Sequence, residues 1–93
     1  MVIGSLEVDI HLFSCSSLKD KRRVIKSLIS RLRNRFNISI AEVGDYSLWQ
    51  RAKLGIAFLS TDTGYSNRVL DKIIEFLNKE KDFCVIDFRK EII

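Results

Sequence analysis

Residues 17–36 read SLKDKRRVIKSLISRLRNRF, and the period of this stretch decides the architecture. Leu18, Ile25, Leu28, Ile29, Leu32 and Phe36 recur at 3.6-residue spacing, the stripe of a helix that buries one face. Ser17 is a suitable N-cap, with Asp20 at N3 as a short-armed capping-box partner. A helix is predicted from Leu18 to about Phe36, with Asn37 as its exit residue.

On either side of this helix the period changes to two. Upstream, residues 2–13 (VIGSLEVDIHLF) place Leu6, Val8, Ile10 and Leu12 on one face and Glu7, Asp9 and His11 on the other. That pattern is a half-buried strand, joined to the helix by the polar turn Ser14–Ser17. Downstream, residues 38–43 (ISIAEV) read as a second strand, and Gly44 and Asp45 begin a connection through residue 51. Residues 52–61 (AKLGIAFLST) read as a third strand, with Leu54, Ile56 and Phe58 opposite Lys53, Gly55, Ala57 and Leu59. Asp62 or Thr63 caps a second helix, about Tyr65 to Lys79, whose stripe is Val69, Leu70, Ile73, Phe76 and Leu77. Residues 83–91 (FCVIDFRKE) close the chain as a strand, with Cys84, Ile86 and Phe88 opposite Val85, Asp87 and Arg89.

The order βαββαβ specifies an α+β, ferredoxin-like sandwich: a four-stranded antiparallel sheet with two helices on one face. Right-handed crossovers place strands one and three at its centre. Helix packing then makes Leu6, Val8, Ile10, Leu54, Ile56 and Phe58 core, and leaves Glu7, Asp9, His11, Gly55 and Ala57 on an open face. With 93 residues, no proline and no Gly/Ser-rich linker, residues 1–93 read as a single domain. Cys15 and Cys84 make no disulfide framework and have no metal-ligand spacing with the one histidine, His11. They read as reduced thiols in a cytoplasmic protein. No apolar run approaches the roughly 20 residues of a membrane-spanning helix, and the N-terminus is a strand rather than a signal peptide.

Charge is distributed unevenly. The first helix stretch holds eight of the sixteen Lys and Arg residues against one acid, Asp20, so it carries +7 while the remainder of the chain carries −3. On a helical wheel with Leu18 at zero, Arg22, Arg33, Lys26, Lys19 and Arg23 fall between about 40° and about 140°, one flank beside the apolar stripe. Arg31 and Arg35 fall on the far side. The cations have almost no acidic neighbour four residues away, and Lys19, Lys21, Arg22 and Arg23 sit where the helix dipole disfavours positive charge. A solvated face is the ordinary reading of such a run; the uncompensated charge points instead to an anionic partner.

The stretches SLKDKRRVIKSL (17–28), FNISIAEV (36–43) and LWQRAKLGIAFLS (48–60) resemble those of the YlxP-like family of small bacterial proteins. The match in kind and order runs along most of the chain. The resemblance implies a ferredoxin-like fold and no established enzymatic activity. Members are often encoded near translation and ribosome-maturation factors, which favours an RNA or ribosome connection. The family has no agreed catalytic or binding residues to carry over.

The expected function is thus a non-enzymatic binding module that meets RNA or a ribosomal particle. Lys19, Arg22, Arg23, Lys26 and Arg33 supply charge, and Trp49, Gln50 and Arg51 stand at the rim, because the second turn lies at the same end as the helix start. Trp49 also has a structural reading, as a cap on the core with Leu48 beside it. The alternative function is a protein-interaction or homodimer module, its basic helix on an acidic protein or its open sheet face on a second copy. Glu7, Asp9 and His11 share that open face, with Glu42 or Asp87 as the nearest further ligands; alternation alone explains them, and neither a metal, a cofactor nor a catalytic residue is expected. Base stacking on the sheet, as in RNA-recognition motifs, is disfavoured by acids and by Gly55 and Ala57 at the central positions. Gly64 reads as part of a simple helix cap.

Overall fold

The computed structural model describes residues 1–93. β1 (Val2–Leu12), α1 (Leu18–Arg35), β2 (Ser39–Gly44), β3 (Arg51–Ser60), α2 (Thr63–Asn78) and β4 (Phe83–Ile92) follow in the order the sequence predicts. The strands form one antiparallel sheet in the order β2-β3-β1-β4, so β1 and β3 are central and β2 and β4 are edges. Leu6 faces Ile56 and Val8 faces Leu54 across the central pair, while Glu7 faces Gly55 and Asp9 faces Lys53. The period-two alternation therefore sends the apolar set of both strands to the helix side.

Leu6, Val8, Ile10 and Leu12 from β1 pack with Leu54, Ile56 and Phe58 from β3, Ile25, Leu28 and Leu32 from α1, and Val69, Leu70, Ile73 and Leu77 from α2. Truncating one such leucine to alanine costs ~2–5 kcal/mol, a large part of the stability of a small domain. α2 begins at the N-cap Asp62, whose Oδ2 accepts from the Tyr65 N–H at 2.7 Å. At α1, Ser17 Oγ accepts from the Asp20 N–H at 3.1 Å. The return bond differs from the expected box. Asp20 Oδ2 accepts from Ser16, both its N–H (3.2 Å) and its hydroxyl (3.0 Å), one residue before the cap.

β4 corrects the predicted alternation. Asp9 faces Asp87 but Ile10 faces Val85, so Ile86 is an extra residue in a bulge. The bulge inverts the phase. Phe83 and Val85, and then Phe88, Lys90 and Ile92, pair with helix-side residues of β1, while Cys84, Asp87 and Arg89 pair with open-face residues. A second irregularity lies between Glu42 and Gly44, where Val43 is the extra residue. Val43 lies over Gly55, where a Cβ would stand 2.9 Å from Val43 Cγ1, so this close approach requires glycine.

Candidate functional site

The N-terminal half of α1 and the β2–β3 connection meet at one end of the domain, as the topology requires. Their junction is Lys21. This side chain is 1% exposed. Its Nζ donates to the carbonyl oxygens of Asp45 (2.6 Å) and Leu48 (2.8 Å), lies 3.5 Å from that of Tyr46, and meets Glu42 Oε2 at 2.7 Å. A buried ammonium is tolerated only when its charge is met, and here a carboxylate and the loop carbonyls meet it. The connection is further closed by the Leu48 N–H donating to the Asp45 carbonyl, with Asp45 at φ 60.

Lys21 was not separable from the other cations by residue type alone. Its position in the helical repeat is the signal: three and four residues before Val24 and Ile25, and seven before Leu28, it falls inside the apolar stripe. Glu42 is likewise relocated. It faces Leu54 across the β2–β3 pair, on the helix side, and cannot join Glu7 and Asp9 on the open face.

Holding the loop backbone inward turns its side chains outward. Trp49 is 54% exposed and Leu48 47% exposed, so neither caps the core. That end of the core is filled instead by Leu12, Cys15, Ala52 and Phe83. Trp49, Gln50 and Arg51 line a shallow depression with Ser47 and Leu48. The Gln50 carbonyl accepts from the Leu12 N–H at 2.9 Å, which ties the far side of the loop to β1.

Lys19, Arg22, Arg23, Lys26 and Arg33 are all exposed, and none is paired with a carboxylate. Arg22, Lys26 and Arg33 line one groove between α1 and the edge strand β2, together with Ile25, Ile29 and Glu42. Arg33 Nη2 reaches the Ile40 carbonyl at 3.4 Å across it. Lys19 and Arg23 lie outside that groove. Arg31 and Arg35, on the opposite flank, turn to α2: Arg31 pairs with Glu80, and Arg35 stacks on Phe36 and Phe76.

The open sheet face is arranged differently. Lys53 stands 3.5 Å from Glu7 and 3.7 Å from Asp9, and Arg89 stands 3.1 Å from Glu7. No three His, Cys, Asp or Glu side chains converge there to hold a metal ion. His11 packs edge-on against Phe13 and faces the exposed Cys84 across the β1–β4 pair. Cys15 is buried, and burial, then Asp20 and Asp82, push its thiol up from the ordinary value. No helix is long and apolar enough to cross a membrane.

Sheet order, helix placement and the basic first helix define the class: a ferredoxin-like α+β domain with a cationic helix flank. Residues 3–90 match the family described as "Protein of unknown function (DUF503)", and the chain belongs to that family. It is also 35% identical over 77 residues to a protein of Bacillus subtilis (strain 168) named "Uncharacterized protein YlxP", a match covering 83% of this chain and 84% of that one. The resemblance drawn from the SLKDKR and WQRAKLG runs is borne out by both findings.

Proposed function

We propose that this protein is a non-enzymatic cytoplasmic binding module that associates with RNA or a ribosomal particle through the exposed flank of α1. The observation that supports this reading is the set Lys19, Arg22, Arg23, Lys26 and Arg33, five exposed cations without a carboxylate partner. Cations left unpaired on one flank repel one another, and a phosphate backbone removes that cost while releasing its own counterions. Trp49, Gln50 and Arg51, exposed just beyond the loop carbonyls that Lys21 holds, supply the rim.

Changing the five cations to Glu tests the reading. Binding to purified ribosomal subunits and to a random-sequence RNA is measured at two salt concentrations. Loss of the five phosphate contacts is expected to lower affinity by about 100-fold or more and to flatten the salt dependence. A folded variant that keeps its RNA affinity would falsify the proposal.

The open sheet face favours a second reading, a homodimer. Leu59 is 59% exposed there beside Ala57 and Val43, a strip of apolar surface on an otherwise ion-paired face. Sedimentation of the wild type and of Leu59→Glu distinguishes the two: a dimer dissociated by that change supports self-association, and a monomer at all concentrations excludes it.

A further inference from the structure

A buried lysine that grips a loop by its carbonyls is an unusual use of an ionic group. The arrangement of Lys21, Glu42 and residues 45–48 puts two exposed aromatics, Tyr46 and Trp49, on a backbone that is held rather than free. The same Lys21 precedes Arg22, the first cation of the α1–β2 groove. Aromatic loop and cationic groove are therefore anchored to each other through one side chain and its neighbour.

The groove itself has direction. From Arg22 through Lys26 to Arg33 the cations extend about 16 Å along the helix axis. Arg33, bridging to the Ile40 carbonyl of β2, marks one end, and the Lys21-held loop marks the other. Ile25 and Ile29 contribute an apolar lining between the cations. Glu42 is the only acid in it, and its charge is already met by Lys21. A line of positive charge with an apolar lining, and an exposed aromatic on the loop anchored at its end, supply the two elements that bind an unpaired strand: charge for the backbone and a face for a base.

A duplex satisfies only half of that surface. It presents phosphates but keeps its base faces stacked inside. An unpaired segment presents both. We infer that the corner formed by the α1–β2 groove and the β2–β3 loop binds unpaired RNA, with phosphates along Arg22, Lys26 and Arg33 and one unstacked base on Trp49. This rests on the proposed RNA-binding function and names the form of RNA that the site takes.

Trp49 is the only tryptophan in the chain, so its intrinsic fluorescence reports directly on the loop. The test is a titration with a short single-stranded oligoribonucleotide and with a duplex of the same sequence. Binding is followed by anisotropy of a label on the RNA and, separately, by Trp49 emission. The single strand is expected to quench Trp49 and to bind about tenfold more tightly than the duplex, and Trp49→Ala is expected to weaken single-strand binding about tenfold and so to remove that preference. Equal affinity for the two forms with unquenched Trp49 at saturation would overturn the inference and leave the RNA reading standing. Absence of anisotropy change with either RNA would overturn both. Polyglutamate that binds as tightly and quenches as strongly as the single strand would also overturn it, and would make an acidic protein the partner.

Discussion

The α1 flank and the open sheet face are both densely charged, yet their charges are used in different ways. On the sheet face Lys53 is shared between Glu7 and Asp9, and Arg89 between Glu7 and Glu91. Each of these cations lies against carboxylates of its own or a neighbouring strand, so its charge is already met within the molecule. On the α1 flank five cations stand together and the nearest acids are occupied elsewhere: Asp20 in the helix cap, Glu42 under Lys21. Charge density alone does not separate a binding surface from a solvated one; whether the charge is already paired does. Lys21 completes the contrast, since within one helix turn the same residue type as Lys19 serves as an internal staple.

The largest expected effect breaks the contrast between buried and exposed lysines. Lys21→Met leaves Glu42 and the loop carbonyls without their cation, and is expected to destabilise the fold by ~3 kcal/mol, whereas Lys26→Met stays within about 0.5 kcal/mol of wild type. Urea unfolding of the two variants measures this directly. Equal stability of the pair would show that the Lys21 contacts contribute nothing net. Next in size is the contrast between the two charged surfaces. Reversing both Lys53 and Arg89 to Glu is expected to leave RNA affinity within about threefold of wild type, against the loss of about 100-fold for the helix flank. A comparable drop for both variants would mean that RNA senses only overall charge.

Smaller again is the stability of the sheet-face lattice. Arg89 is 70% exposed, and Arg89→Ala is expected to cost at most about 1 kcal/mol, further reduced in high salt. The smallest effect concerns the helix start. Hydrogen bonds from the Ser16 backbone N–H first, and then from its hydroxyl, hold the Asp20 carboxyl below the ordinary carboxylate range. With the folded value depressed, its contribution is present above the unfolded value of roughly 3.9 and is lost as pH falls through the lower folded value. The stability difference between wild type and Asp20→Asn should therefore be flat near neutrality and shrink only at acid pH. A difference that instead shrinks at roughly neutral pH would assign the effect to another group.

Much of this was legible in the chain. Ser17 and Asp62 mark the two helix starts, and both act as caps. The faces of β1 and β3 followed from alternation because both central strands are regular. The cationic flank followed from helical geometry, and its members are exposed as expected. β4 was misread because a bulge at Ile86 inverts the phase, and period-two reasoning has no means to detect one extra residue in a short strand. The structural reading of Trp49 as a core cap fails, although a lone tryptophan next to a leucine resembles core. The carbonyl of the neighbouring Leu48 is held by a lysine 27 positions earlier in the chain, a contact that no local pattern displays.

Local order was determined by the sequence alone: six elements, the apolar faces of both helices and of the two central strands, the helix caps and the excess of positive charge on α1. These depend on periodicity and on neighbours within one helical turn or one strand, which a linear chain displays. Only the tertiary structure decided which cation is buried, which acid is consumed, which way the β2–β3 loop faces and which cations share a groove. The contacts of Lys21 with Glu42, Asp45 and Leu48 join positions 21 to 27 residues apart. Such pairs are created by the packing of α1 against β2 and carry no periodic signal in the sequence.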